Sequence, residues 1–265
     1  MSEEFVKEVL HGPPVLFNAM MMTHFCPGCH YGIILRAFME ALEKTGVVRS
    51  AVLVTGIGCS MVSAHYVKEL DGLVALHGRA PAVATGLKRA LGKDKIVITM
   101  QGDGDLSAIG MGEIIHAAAR FEKLTAIFLN NANFGTTGGQ MAPTSLVGQV
   151  TPTTPKGRNY EKEGFPIHMA ELMAQMKGVV FSFRGAVNTL KNFNRTKRAM
   201  IKGIENQMHG KGFSFIEILS ACPPGQHLKP SVGLKYVEEV LIKEFPLGEF
   251  KDTGHPCEDV SLSPA

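Results

Sequence analysis

The stretch from Ile96 to Gln140 constrains the fold more tightly than any other part of the chain. An apolar run at residues 96–100 leads directly into Gly102-Asp103-Gly104-Asp105. Residues 106–121 carry helical periodicity, and Thr125-Ala126-Ile127-Phe128-Leu129 forms a second apolar run. That run ends at Asn130-Asn131-Ala132-Asn133, before the glycine-rich Phe134-Gly135-Thr136-Thr137-Gly138-Gly139-Gln140. The pattern predicts strand, glycine turn, crossover helix, strand and glycine-rich loop. A crossover of this length returns the chain parallel to its first strand and beside it. Asp103 and Asn131 are thereby predicted at the carboxyl ends of neighbouring strands, where open α/β sheets bind ligands.

One carboxylate and one amide oxygen form a sparse set of hard donors. Such a set suits Mg²⁺ held mainly by a ligand's phosphates. Gly102 and Gly104 allow close backbone approach, and a helix starting near Leu106 offers free N–H groups to a diphosphate. Asp-Gly pairs and Asn-rich strand ends are also ordinary turn chemistry, so the weight rests on their joint occurrence.

The rest of the chain extends the alternation. Residues 1–23 read as an N-terminal arm, with His11-Gly12-Pro13-Pro14 breaking any early helix. Apolar positions from Ile33 to Leu42 recur at helical spacing. Strands are predicted at 51–55, 73–76, 178–183 and 213–219, with helices following Pro81, Phe165 and Leu190. Strands alternating with helices define a doubly wound, mostly parallel α/β sheet in a single domain spanning residues 24–228. Residues 141–165 form a long loop of the functional or partner-contacting kind. Residues 229–265 are weakly patterned and read as a C-terminal tail that packs on a neighbour or frays. Between Lys177 and Lys211, eight Lys or Arg face one acidic residue, which reads as a solvated helix face.

Composition removes several classes of function. With 45% apolar and 19% charged residues the chain is globular, and a net charge of +3 does not argue for nucleic acid. Met1-Ser2-Glu3-Glu4-Phe5 lacks the basic start and apolar core of a signal peptide. No apolar run approaches the ~18 residues of a bilayer span. The expected location is cytoplasmic, with no membrane partner.

Five cysteines in such a chain point to metal or redox chemistry rather than a disulfide framework. Cys26-Pro27-Gly28-Cys29 alone fits a zinc knuckle, a thioredoxin-like pair or half of an iron–sulfur site. Cys59 lies in the glycine turn after the first strand. Cys222 follows the last strand and precedes Pro223, as cysteines do in ferredoxin cluster loops. Cys59 taken alone also fits an ordinary core cysteine.

The stretch GDGD…NNANFGTTGGQMAPTS resembles the β subunit of 2-oxoacid:ferredoxin oxidoreductases, a thiamine diphosphate-binding family. His77-Gly78-Arg79-Ala80-Pro81, Cys26-Pro27-Gly28-Cys29 and Ile57-Gly58-Cys59-Ser60 share the resemblance, which covers residues 24–228. It is strongest to the 2-oxoisovalerate and 2-oxoglutarate enzymes. The resemblance implies a thiamine diphosphate-type sheet in which Cys26, Cys29, Cys59 and Cys222 hold a [4Fe–4S] cluster. It implies Mg²⁺ on Asp103, Asn131 and the main-chain carbonyl of Asn133. Thiamine diphosphate contacts are implied at Ile57, Gly58, Cys59, Ser60, His77, Gly104, Asp105, Gly135 and Thr136. His77 fits a core or capping histidine equally well, and Asp105 beside a diphosphate requires a compensating role such as a helix cap or a metal-bound water. Cys257 matches no family position and reads as a free thiol.

The activity so implied is oxidative decarboxylation of a 2-oxoacid with coenzyme A, giving acyl-CoA and CO₂ and passing electrons to ferredoxin, in anaerobic metabolism. No catalytic residue is assigned on this chain. The activating glutamate is expected from an α-type partner carrying the pyrimidine-binding domain, in a hetero-oligomer with a γ subunit and a small ferredoxin-like subunit. Rival readings are a cluster-free thiamine diphosphate-dependent decarboxylase or lyase half-subunit, a zinc-stabilised binding subunit without catalysis, and a nucleotide-binding α/β protein, against which the glycines spell neither GxGxxG nor a P-loop.

Overall fold

The computed structural model describes residues 12–20 and 24–254. The elements that matter here are β1 (Ala51–Thr55), β2 (Asp71–Val74), β3 (Ile96–Gly102), β4 (Thr125–Asn130), β5 (Val179–Ala186), β6 (Phe213–Leu219) and β7 (Gly248–Asp252). The helices used below are α1 (Tyr31–Thr45), α2 (Ala80–Leu91), α3 (Met111–Ala119), α4 (Tyr160–Glu163), α5 (Met169–Ala174) and α6 (Leu190–Met208). The strands form one sheet in the order β2-β1-β3-β4-β6-β5-β7, parallel throughout except for β7, which runs antiparallel to β5. The expected α/β architecture is therefore present.

Helices cover both faces, which is why β1, β4, β5 and β6 are apolar almost without interruption and wholly buried. Successive strand residues point to opposite faces. Ile98, Ile127 and Ile216 pack with Phe38 and Leu42 of α1 and Met200 and Ile204 of α6. Val97, Ala126 and Phe215 pack instead with Ala84 of α2, Ile114 of α3 and Met173 of α5. Among the described helices, none is long and apolar enough to cross a membrane.

Three expectations change. The described part of the expected tail is built into the domain: residues 248–252 form β7, and Val237, Leu241 and Phe245 are fully buried against Ala132 and Leu219. The sequence signal was weak because β7 is an edge strand, half exposed and carrying charges. The basic stretch is not uniformly a solvated face. Arg184 on β5 is fully buried and pairs with Glu171 and with Glu217, at 2.9 Å to the latter, while Phe245 and Phe250 pack against its guanidinium. The helix after the glycine turn does not begin at Leu106. A π-helical turn from Gly104 to Ile109 precedes α3, closed by the N–H of Gly110 donating to the carbonyl of Asp105 at 2.9 Å. Such widened turns recur at functional sites. Cys257 lies outside the described residues.

Candidate cofactor and metal site

β3 and β4 pair in parallel, so Asp103 and Asn131 leave the sheet side by side. The Asp103 carboxylate is buried, and its two oxygens are used differently. Oδ2 accepts from the N–H of Asn131 at 3.3 Å, the N–H of Asn133 at 3.1 Å and the hydroxyl of Thr144 at 2.8 Å. Oδ1 accepts only the N–H of Gly104 among the described protein donors, at 2.9 Å, and keeps a lone pair free. Burial pushes this carboxyl up to about 7 in spite of the four donors. A cation bound there would favour the ionised form of Asp103. The Asn131 amide is turned by Nδ2 donating to the hydroxyl of Tyr31 at 3.3 Å, leaving Oδ1 as its acceptor end. Asp103, Asn131 and the carbonyl of Asn133 could therefore share a Mg²⁺ with a diphosphate.

The loop holding these ligands is strained at Ala132, a non-glycine residue at φ 59°. Three bonds hold it there. Its N–H donates to Asn130 Oδ1 at 3.1 Å, and its carbonyl accepts from Ser145 Oγ at 2.6 Å and Gln149 Nε2 at 2.8 Å. The long loop at 141–165 supplies Thr144, Ser145 and Gln149. It is braced by Arg158, whose buried guanidinium donates to the carbonyls of Pro143, Ser145, Glu163, Gly164 and Phe165. This loop is the outer scaffold of the metal ligands.

Asp105 neither caps the helix nor lies free beside the cavity. Its carboxylate accepts from His77 Nδ1, from the N–H of Gly78 at 2.7 Å and from Gln101 Nε2 at 2.5 Å. A Cβ on Gly56 would come within 1.8 Å of Asp105 Oδ2, so glycine is required there for the carboxylate to lie against β1. Because a carboxylate only accepts, Nδ1 of His77 is the donor, and Nε2 is the polar atom the ring has left to offer the cavity it lines.

The four expected cysteines gather near the same strand ends. Burial pushes the Cys29 thiol up to about 12. Cys59 Sγ sits 3.0 Å from Thr136 Oγ1 in the glycine-rich loop. His30 Nδ1 accepts from the N–H of Ala221 at 3.3 Å, tying the Cys26–Cys29 loop to that of Cys222. Gln226 ties the Cys222 loop to the metal loop, accepting from the N–H of Cys222 at 2.9 Å and donating to the carbonyl of Asn131 at 2.8 Å. Among the described residues, no three His, Cys, Asp or Glu side chains close on a single ion. Of the four cysteines, Cys59 lines the cavity described below.

A cavity of about 160 Å³ brings together Ile57, Gly58, Cys59, His77, Asp103, Gly104, Asp105, Asn131, Asn133, Gly135 and Thr136. Ser60 is outside it, buried with an unpartnered hydroxyl. Tyr31, Phe134 and Thr137 also line it and were not expected. Neither were Gln101, Thr144, Arg158 and Gln226. Thr144 lies inside the resembling GQMAPTS stretch, the one signal that could have found it. A larger cavity of about 920 Å³ between α1 and α6 gathers none of these groups.

Residues 56–218 match the family described as thiamine pyrophosphate enzyme, C-terminal TPP binding domain. Over 246 residues the chain is 43% identical to the ketoisovalerate oxidoreductase subunit VorA of Methanothermobacter thermautotrophicus, covering 93% of this chain and 51% of that protein. Over 224 residues it is 37% identical to the 2-oxoglutarate synthase subunit KorB of Archaeoglobus fulgidus, covering 84% of this chain and 79% of that one. The chain thus spans about half the length of the VorA subunits it matches. In fold it resembles the solved 2-oxoglutarate:ferredoxin oxidoreductase from Magnetococcus marinus with 2-oxoglutarate, coenzyme A and succinyl-CoA bound. The TM-score is 0.73 at 24% identity, over 92% of this chain and 86% of that one.

Proposed function

Since the chain belongs to the thiamine diphosphate-binding subunits of the 2-oxoacid:ferredoxin oxidoreductases, we propose that it carries Mg²⁺–thiamine diphosphate and a [4Fe–4S] cluster for oxidative decarboxylation of a 2-oxoacid. Coenzyme A takes the acyl group, CO₂ leaves and ferredoxin receives the electrons. The observation that carries this reading is the meeting of Asp103, Asn131 and Asn133 with Cys59 and His77 around one cavity at the carboxyl ends of β1, β3 and β4. A branched-chain 2-oxoacid is the preferred substrate, on the strength of the 43% identity to a ketoisovalerate oxidoreductase subunit, with 2-oxoglutarate second.

Thiamine diphosphate supplies a carbon nucleophile and an electron sink when bound. The chain's own residues hold and orient it. Asp103 Oδ1, Asn131 Oδ1 and the carbonyl of Asn133 would hold the metal, and Gly104 would border the diphosphate in the same cavity. Asp105 fixes the His77 ring toward the same space. Cys26, Cys29, Cys59 and Cys222 hold the cluster, with Cys59 reaching the cavity wall itself.

Ligand pockets commonly enclose ~300–1,000 Å³, so a cavity of about 160 Å³ is part of a site rather than a whole one. Its only carboxylates among the described residues are Asp103 and Asp105, both engaged by protein donors. In keeping with the family resemblance, the activating glutamate is assigned to an α-type partner with a pyrimidine-binding domain, in an assembly with γ and small ferredoxin-like subunits.

The test is iron, sulfide, zinc and thiamine diphosphate analysis of chain co-expressed with its partner subunits and purified without oxygen. About four irons and four sulfides per chain are expected, lost in Cys59→Ala, with the cofactor lost in Asp103→Ala. Stoichiometric zinc, or cofactor without iron, would replace this reading with the binding subunit or the cluster-free decarboxylase.

A further inference from the structure

A buried amide beside Cys222 has no use in the site as described. Asn133 is 1% exposed, and its Oδ1 has no hydrogen-bond partner. Nδ2 reaches only the carbonyl of Asn131, at 3.4 Å, beyond the usual range for N–H···O. The main chain of Asn133 is separately engaged, its N–H donating to Asp103 Oδ2 at 3.1 Å.

The side chain shares a narrow space with the cysteine sulfur. A Cβ on Gly225 would stand 2.9 Å from Asn133 Oδ1, 3.1 Å from Nδ2 and 3.1 Å from Cys222 Sγ. A Cβ on Gly135 would stand 3.1 Å from the same sulfur and 3.5 Å from Oδ1. Two glycines, from opposite loops, thus keep open a cradle bordered by the Asn133 amide and the Cys222 sulfur, with Asn131 Nδ2 3.7 Å from the Gly135 position.

We propose that the Asn133 side-chain amide donates an N–H to Cys222 Sγ in the cluster-bound protein, and so sets how readily the cluster accepts an electron. The proposal rests on the reading of the four cysteines as cluster ligands. A thiol is a weak donor that the amide oxygen can face, whereas a ligating thiolate only accepts. A half-turn of the amide exchanges oxygen for nitrogen without changing its shape, so the same cradle serves the thiolate. Hydrogen bonds to cluster sulfurs withdraw negative charge and favour the reduced state. One residue would then offer its carbonyl to the metal of the cofactor and its side chain to the electron acceptor.

Asn133→Leu removes the donor at similar volume, and Asn133→Asp keeps the shape while replacing the donor with an acceptor. The full chain, co-expressed with its partner subunits and purified without oxygen, is first analysed for iron and sulfide. The midpoint potential of the cluster is then read by EPR-monitored titration. Wild-type iron content is expected in both variants, with the reduction equilibrium about tenfold less favourable in Asn133→Leu, equal to about 59 mV for one electron, and lower still in Asn133→Asp. Unchanged potentials at full iron content would overturn the amide–sulfur bond and leave the cluster reading standing. Wild-type protein without iron would overturn both. Should the variants fail to hold iron, wild-type protein labelled with nitrogen-15 in its asparagine side chains decides: an amide nitrogen coupled to the reduced cluster in pulsed EPR is expected, and its absence overturns the proposal.

Discussion

The hydroxyl of Thr144 donates to Oδ2 of Asp103 at 2.8 Å, joining the long loop to the end of β3 across 41 positions of chain. It is the only side-chain donor to that carboxylate among the described residues, the other three being main-chain N–H groups. Thr144→Val keeps the shape and removes the donor. Outer partners of metal ligands typically contribute 10–100-fold in affinity, so Mg²⁺-dependent binding of thiamine diphosphate should weaken by about that factor. Calorimetric titration at fixed cofactor reads it, and equal affinities would show that the hydroxyl only packs.

Arg158 should matter for stability first and for the cofactor second. Its guanidinium spans five carbonyls with no carboxylate partner. Replacement by Lys leaves several of these acceptors unmatched, because one ammonium cannot reproduce the planar fork. A loss of roughly 2–4 kcal/mol is expected, at about 1 kcal/mol or more per stranded group. Chemical unfolding of the wild type and Arg158→Lys checks it.

Gly56→Ala should disconnect His77 from the site. The added Cβ would meet Asp105 Oδ2 at 1.8 Å, a distance no relaxation of the carboxylate in place can accommodate. Asp105 must swing away and release Nδ1 of His77. Cofactor binding should fall at least as far as in Asp105→Asn, measured by the same titration. A Gly56→Ala protein that binds normally would mean that Asp105 is not needed to place the ring.

Acid should loosen the contact of Glu171 on α5 with Arg184 on β5. Burial raises the Glu171 carboxyl, but the hydrogen bonds and charge of Arg184 outweigh it and hold the group below the usual carboxylate range. In the interval between the folded and unfolded values the unfolded chain binds more protons, so stability rises with pH there. The contribution is complete above the unfolded value of about 4.3 and is lost as pH falls through the folded one. Thermal unfolding from pH 6 down to pH 3 should show that decline, made shallower in Glu171→Gln; identical slopes would remove Glu171 as a source of it.

Much of the fold was legible because burial on both faces of a parallel sheet demands long apolar strands, and covering helices demand a 3.6-residue period. β3, β4 and the turns after them could therefore be drawn from the sequence, and with them the nearness of Asp103 to Asn131. β7 escaped because Gly248-Glu249-Phe250-Lys251-Asp252 has the polar character of an edge strand. Arg184 escaped because a charge in a basic stretch looks solvated until its carboxylates, Glu171 and Glu217, are found on other elements.

The sequence by itself determined the strand and helix alternation, the residue types at the strand ends and the four cysteines, since all of these are written in local order and spacing. Only the tertiary structure decided that Thr144 finishes the shell of Asp103, that Asp105 serves His77, and that the Asn133 amide oxygen is left buried without a partner. The reason is physical. A hydrogen bond between residues far apart in the chain depends on which strands pair and in what register, and periodicity carries no record of which side chain will be left without a partner.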